Sequence, residues 1–401
     1  MHTRENEIQR ADLFRPHFLG SDVMKKLFMI GFMFISLILI SSTLFGAVEV
    51  WVSWEGESLF RQLSEEWEAE TGETVKLVYI PELEEKLTIT LKGGGVLPDI
   101  CLIKTDNLPL ILESVEPKLI ADLDISEYEF DPKLSQAFIY QSKRYVVPYY
   151  ADMQLMYIAT EVFDQLALDL PMSDWSFEEF IRILQTIQQT PIQPSGWGIN
   201  SAYLFTGLQE GLGSPVMNQE GKIQLVTQEN ISLLSQFKDW YHSGLLFDYV
   251  TRPNIVKAFS KGELAMFPQG SFLIQKFLAS GLDFVIRPLP QPWQSIIDPK
   301  GFVCFNNKSG TISLLKNFLE ANETFAKTYI KYPSIKPLYP QEIPYYEQME
   351  QTVQNGMIQP INDQYVFGYW PAMRTTLDLI LKEGADIQEA LEKAQAYIDN
   401  R

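Results

Sequence analysis

The sequence predicts an α/β protein of two lobes, each a mainly parallel sheet flanked by helices, and three observations predict it. Residues 1–47 read as a leader, and the 354 residues that remain of 401 exceed the about 250–300 at which a single core stops growing. The first hundred of these residues run strand, helix, strand, helix, strand, an order that implies right-handed crossovers and a parallel sheet. Farther on, residues 145–157 are rich in β-formers, interrupted only by Pro148. That stretch is long enough to cross between two lobes.

In the leader, Met24-Lys25-Lys26 precedes an apolar run at 27–40 and the small pair Gly46-Ala47. This is the order of a secretory signal peptide. The fourteen-residue run is short of the roughly 20 residues a spanning helix needs. We expect translation to start at Met24, cleavage to follow Ala47, and the mature protein to be periplasmic or extracellular.

Each element has a local reason. Val48, Val50 and Val52 alternate with Glu49, Trp51 and Ser53, and Glu55-Gly56-Glu57 follows as a turn, so the segment reads as a strand. Leu59, Phe60, Leu63 and Trp67 then share one helical face that stops at Gly72. Residues 75–80 form the second strand. Pro81 opens a helix with the stripe Leu83, Leu87 and Leu91, and Gly93-Gly94-Gly95 ends it before the apolar third strand at 99–103. That triple glycine closes a helix and does not join a strand to a helix N-terminus, so it is read as a turn and not as a phosphate cradle. Beyond the long strand, Ser176 and Glu179 make a capping box for a helix through Leu184 and Ile187. Pro191, Pro194, Gly196 and Gly198 predict a loop leading to Tyr203 and Phe205. Helices are expected at 231–242, 314–330 and, capped by Asp386 with Glu389, at the C-terminus, with a proline connector at 333–344.

Composition removes several function classes. Outside the leader, 27 Lys/Arg face 47 Asp/Glu, a net charge of about −20, which excludes a nucleic-acid partner because counterion release needs clustered cations. His242 is the only histidine beyond residue 47, so a His-based triad has one candidate base and multi-histidine zinc sites have no ligands. No metal site, catalytic residue or cofactor is expected. Cys101 and Cys304 are read as two buried thiols, with a single bridge between them as the alternative.

Three segments carry a resemblance to a known family. The first is Thr71-Gly72-Glu73-Thr74-Val75 with Leu83-Glu84-Glu85-Lys86 and Pro98-Asp99-Ile100. The second is 258–266, Ala-Phe-Ser-Lys-Gly-Glu-Leu-Ala-Met, with Gly270-Ser271-Phe272 beyond it. The third is Tyr369-Trp370-Pro371-Ala372-Met373-Arg374-Thr375. In this order, behind a signal peptide, the chain resembles the extracellular solute-binding proteins of ABC importers, in the carbohydrate-binding group that includes maltose-binding protein. The resemblance implies the two-lobed type II periplasmic-binding-protein fold, with one lobe from 48–151 plus 302–338 and the other from 155–300 plus 340–401. A hinge of three crossing segments is implied near 151–154, 301–305 and 337–341. It also implies a monomer that is not an enzyme, closes on a mono- or oligosaccharide and delivers it to membrane permease subunits.

A pyranose offers apolar C–H faces and a rim of hydroxyls, so its site needs aromatic platforms and fixed polar groups. In a parallel sheet these lie beyond the carboxyl ends of the strands, where Trp54-Glu55 follows the first strand and Asp106 the third. The resemblance adds Trp370 and Phe272 as stacking positions, Tyr203 as a third aromatic, Asp152 as a hinge-side carboxylate and Arg374 in a helical first turn near the cleft. Ile103 and Asn107 stand where maltose-binding protein has a tryptophan and an arginine, which argues against maltose as the ligand. Two alternatives remain open: a non-sugar solute such as a polyol, osmolyte or anionic sugar derivative, and a secreted glycoside hydrolase using paired carboxylates among Glu55, Asp106 and Asp152.

Overall fold

A computed structural model describes residues 46–114, 124–360, 362 and 364–400. Of the signal peptide expected at 24–47, residues 24–45 lie outside the described residues.

The predicted βαβαβ unit is present as strand β1 (Val48–Val52), the helix Glu57–Thr71, β2 (Val75–Tyr79), the helix Leu83–Lys92 and β3 (Ile100–Lys104). β1 pairs in parallel with β2 on one side and β3 on the other. The helix Glu57–Thr71 stops at Gly72, whose φ of 73° is the left-handed geometry glycine adopts without a Cβ penalty. Its Phe60, Leu63 and Trp67 are buried, as their shared face requires. After a hairpin of β4 (Ile139–Tyr140) and β5 (Lys143–Arg144) comes β6 (Val147–Ala159), thirteen residues buried throughout. Pro148 is tolerated as its second residue, near the end of the ladder.

The second parallel group is β7 (Gln193–Trp197) between β8 (Leu246–Asp248) and β9 (Leu264–Gly270). Its first strand corrects the loop expected at 191–198. Proline and glycine there signal a break, yet Gly196 is what allows the strand to form, because a Cβ would sit 2.6 Å from the Phe247 carbonyl oxygen and 2.8 Å from the Tyr249 ring. The helix expected at 314–330 is two helices, Ser309–Glu320 and Asn322–Tyr329. They divide at Ala321, and the buried Asn322 side chain donates to the Tyr149 carbonyl, pinning the break to β6.

The remaining strands are β10 (Phe284–Arg287), β11 (Ile296–Cys304), β12 (Tyr332–Pro333) and β13 (Met357–Ile358). The main sheet runs β2-β1-β3-β11-β6-β9-β7-β8, parallel at both ends and antiparallel around its centre. β6 is that centre. Its first half pairs with β11 and β12, and its second half pairs with β9 and β10. Side chains around the βαβαβ unit form two hydrophobic clusters, and those around β7, β9 and the C-terminal helices form a larger third. Cys101 and Cys304 are both free and buried.

Candidate functional site

The site is built where β1, β3, β6, β11 and β12 end or pass each other. Directly after β1 the backbone of Trp54 takes φ 62° and that of Gly56 φ 95°. A non-glycine residue in the left-handed region costs about 1–3 kcal/mol and persists only where its surroundings fix it. Here Phe325 and Phe60 pack so closely on Gly56 that a Cβ would lie 2.5 Å and 2.8 Å from their rings. The sharp turn projects Trp54 and Glu55 from the strand end.

Strand periodicity of two places Tyr150 and Asp152 on one face of β6, and Asp298 and Lys300 on one face of β11. The register sets Asp152 opposite Asp298 and Tyr150 opposite Lys300. Two carboxylates facing each other would repel, and Lys300 resolves this with its Nζ 2.8 Å from Asp152 and 2.9 Å from Asp298. Lys331, immediately before β12, lies 2.7 Å from Asp152 and 2.8 Å from Glu55. The Tyr150 hydroxyl donates to the other Glu55 oxygen at 2.9 Å. Ser271, at the end of β9, donates to Asp152 at 2.7 Å and accepts from the Met153 amide at 3.3 Å. Lys300, Lys331 and Asp152 are all buried. Burial alone would raise the Asp152 carboxyl, but the Lys300 and Lys331 ammonium groups hold it well below the usual carboxylate range. For Lys300, burial favours loss of the proton, and Asp152, Asp298 and Glu55 together keep it bound.

β3 ends in a 3₁₀ turn, Thr105–Asn107, in which Asn107 Oδ1 accepts from the Lys104 amide. Asn107, one of the two departures noted in the sequence, therefore serves the turn, and Ile103, the other, is fully buried. The turn carries Asp106, whose Oδ1 is buried and has no hydrogen-bond partner among the described residues. Burial first, and the nearby Asp298 second, push its carboxyl up to about 7, with Lys104 opposing. Lys104 itself is held by Glu84 at 2.7 Å. The Trp54 ring lies beneath two of these cations, with Lys104 Nζ 5.0 Å and Lys300 Nζ 5.9 Å from its centre.

The aromatic side comes from two helices. Ala202–Gly211 begins at Ser201, whose hydroxyl accepts from the Leu204 amide. Tyr369, just before the helix Trp370–Leu381, docks on it by donating to Gln209 at 2.8 Å and accepting from Thr206 at 3.1 Å. That anchorage sets Trp370 against Tyr203, edge to face at 5.8 Å, and against Tyr365 at 6.0 Å. The buried Trp370 Nε1–H has no acceptor among the described residues. Burial, then the charges of Asp298 and Asp106, raise the Tyr203 hydroxyl well above its ordinary range, which links the aromatic pair to the carboxylates.

The structure thus brings together Trp54, Glu55, Asp106, Asp152, Tyr203 and Trp370. Phe272 adjoins them through its neighbour Ser271, and its ring is covered by the Arg252 guanidinium at 4.5 Å. Arg374 is exposed, and the group it influences is Asp378, one turn along its helix. Sequence reasoning missed Asp298, Lys300 and Lys331. A signal for two of them exists, since Asp298 and Lys300 alternate inside the otherwise apolar run 296–304.

Comparison with known proteins follows the same lines. The family model described as bacterial extracellular solute-binding protein matches residues 53–301. Among solved structures, the chain is similar to the GacH receptor of Streptomyces glaucescens, solved unliganded and with acarbose. The two share 18% identity over 89% of this chain and 98% of that one, with a TM-score of 0.73. The maltotriose-binding protein of Thermus thermophilus, solved with maltotriose, is 17% identical over 88% of this chain and 99% of that one, with a TM-score of 0.71. At such identities the likeness establishes the fold, a mixed α/β architecture of the maltose-binding-protein type. No curated protein matches the sequence.

Proposed function

The chain belongs to the bacterial extracellular solute-binding protein family, and from that premise we propose that it is the sugar-capturing component of an ABC importer. The observation that carries this reading is the meeting of Tyr203 and Trp370 with the Asp106 carboxylate, whose Oδ1 is buried without a partner among the described residues, and with the charge cluster on β6 and β11. Such a pairing of apolar ring faces with fixed hydrogen-bonding groups suits a pyranose. The acarbose and maltotriose held by the two relatives of similar fold support the same ligand class.

In this proposal the lobes are 48–151 with 302–338 and 155–300 with 340–401, joined near 151–154, 301–305 and 337–341. A bound sugar bridges them and favours the closed arrangement by its differential contacts. The closed form then docks, as a monomer outside the cytoplasm, on membrane permease subunits. Among the described residues no helix is long and apolar enough to cross a membrane, so the permease would be a separate chain.

Thermal unfolding with a panel of mono- and oligosaccharides tests the ligand class. A saccharide at about 100 times its dissociation constant should add roughly 2.7 kcal/mol to the stability of the folded state. Stabilisation by peptides or amino acids, with none by any saccharide, would reject the proposal.

A further inference from the structure

We propose that the saccharide this site takes carries a protonated amine, received between the carboxylates of Asp106 and Asp298; the proposal rests on the sugar-binding reading above. Every lysine of the site is already matched by acids. Lys331 bridges Glu55 and Asp152, Lys300 bridges Asp152 and Asp298, and Lys104 pairs with Glu84. Three ammonium groups therefore face five carboxylates. At Asp106 the hydrogen-bonding capacity left over is that of an acceptor, because its Oδ1 is buried without a partner among the described residues.

Among the described residues, the charges that act most strongly on Asp106 include no cation beyond Lys104 and Lys300. Asp298 and Lys300 approach it from β11, Lys104 from the end of β3 and Glu84 from the helix Leu83–Lys92. Tyr203 faces it from the helix Ala202–Gly211 with a neutral hydroxyl. Proton uptake on Asp106 near neutral pH is the chain's own way of relieving the excess charge. An incoming ammonium relieves it while keeping the carboxylate, and hydrogen bonds between ionised partners are about twice as strong as neutral ones. A neutral hydroxyl satisfies Oδ1 but leaves the charge excess. A carboxylated or phosphorylated sugar adds like charge where the site is already anionic, and the −19 net charge of the whole chain also repels it on approach. Tyr203 stands near the carboxylates of Asp298 and Asp106 and packs edge to face on Trp370, and in this proposal the pair packs against the sugar ring.

Isothermal titration at pH 7 tests this with glucosamine oligosaccharides, their N-acetylated counterparts and glucose oligosaccharides of the same length. The amine form should bind at least about tenfold more tightly than either neutral form, a difference of about 1.4 kcal/mol. In Asp106→Asn and Asp298→Asn, each shown to be folded by circular dichroism, that ratio should fall towards one. Neutral forms that bind as tightly as the amine form in the unmodified protein would overturn the proposal. So would a preference that survives Asp106→Asn. If neutral saccharides bind and amine forms do not, only this proposal fails, whereas binding of no saccharide of either kind removes the sugar-binding reading as well.

Discussion

Lys331 places its ammonium nitrogen 2.7 Å from an Asp152 carboxylate oxygen, with both side chains buried. The contact joins β12 to β6, and the same lysine reaches Glu55 after β1 while Asp152 reaches Ser271 after β9. One carboxylate therefore ties together segments from both halves of the central sheet.

Removing that carboxylate leaves two buried ammonium groups short of a partner. Asp152→Ala should lower the unfolding free energy by about 3–5 kcal/mol, the usual cost of an uncompensated buried charge. Urea denaturation measures it, and a loss under 1 kcal/mol would show that Asp298 and Glu55 suffice for both lysines.

Asp106 and Asp152 respond to pH in opposite senses. The folded Asp106 carboxyl holds its proton up to about pH 7 and the unfolded one only to about 4. The folded state thus binds the extra proton between those values, and stability falls as pH rises through that window. Asp106→Asn should accordingly stabilise the free protein at pH 8 by about 1–3 kcal/mol, with the gain shrinking towards pH 4. Asp152 has a depressed folded value, so its contribution is present above the unfolded value of about 4 and is lost as pH falls below it. Melting curves from pH 3 to 8 on both proteins check the two signs.

Gly301 sits at the register shift between β11 and β6. A Cβ there would collide with the Val147 carbonyl oxygen and lie 2.7 Å from Val146 Cγ1. Gly301→Ala should cost about 1–3 kcal/mol, as overpacking usually does, and should also weaken ligand binding because the shift positions Lys300. Chemical denaturation and titration together separate the two effects.

Burial pushes the Cys304 thiol up to about 12 and the Cys101 thiol higher still. Neither should react with a thiol reagent in the native protein, and both should react at once in denaturant. Stoichiometric labelling of the folded protein would show that the packing around β3 and β11 opens readily.

How much of this was legible in the sequence depends on whether the cause was local. Alternating valines at 48–52, the stripe Phe60, Leu63 and Trp67, and the Ser176 and Asp386 caps all act within a few residues, and each is found as expected. Gly196 misled because its role is set by Phe247 and Tyr249, about fifty residues away. The break at Ala321 likewise depends on Asn322 reaching Tyr149. In the site, Trp54, Glu55 and Asp106 were visible because they follow strand ends. Asp298 and Lys300 left a signal in their alternation within an apolar run that was not used, and Lys331 left none, because its partners Glu55 and Asp152 lie far away in the sequence. Arg374, placed near the cleft by resemblance, is exposed beside Asp378.

The central claim, a sugar held against Trp370, is tested most directly by calorimetric titration of the unmodified protein and Trp370→Ala with the saccharide that stabilises the fold most. Trp370 is half-buried at the edge of its cluster, so the variant should remain folded with its free melting temperature within a few degrees. The account predicts one-to-one binding to the unmodified protein and a loss of at least about tenfold, or about 1.4 kcal/mol, in the variant. Equal affinity in the two proteins would contradict it.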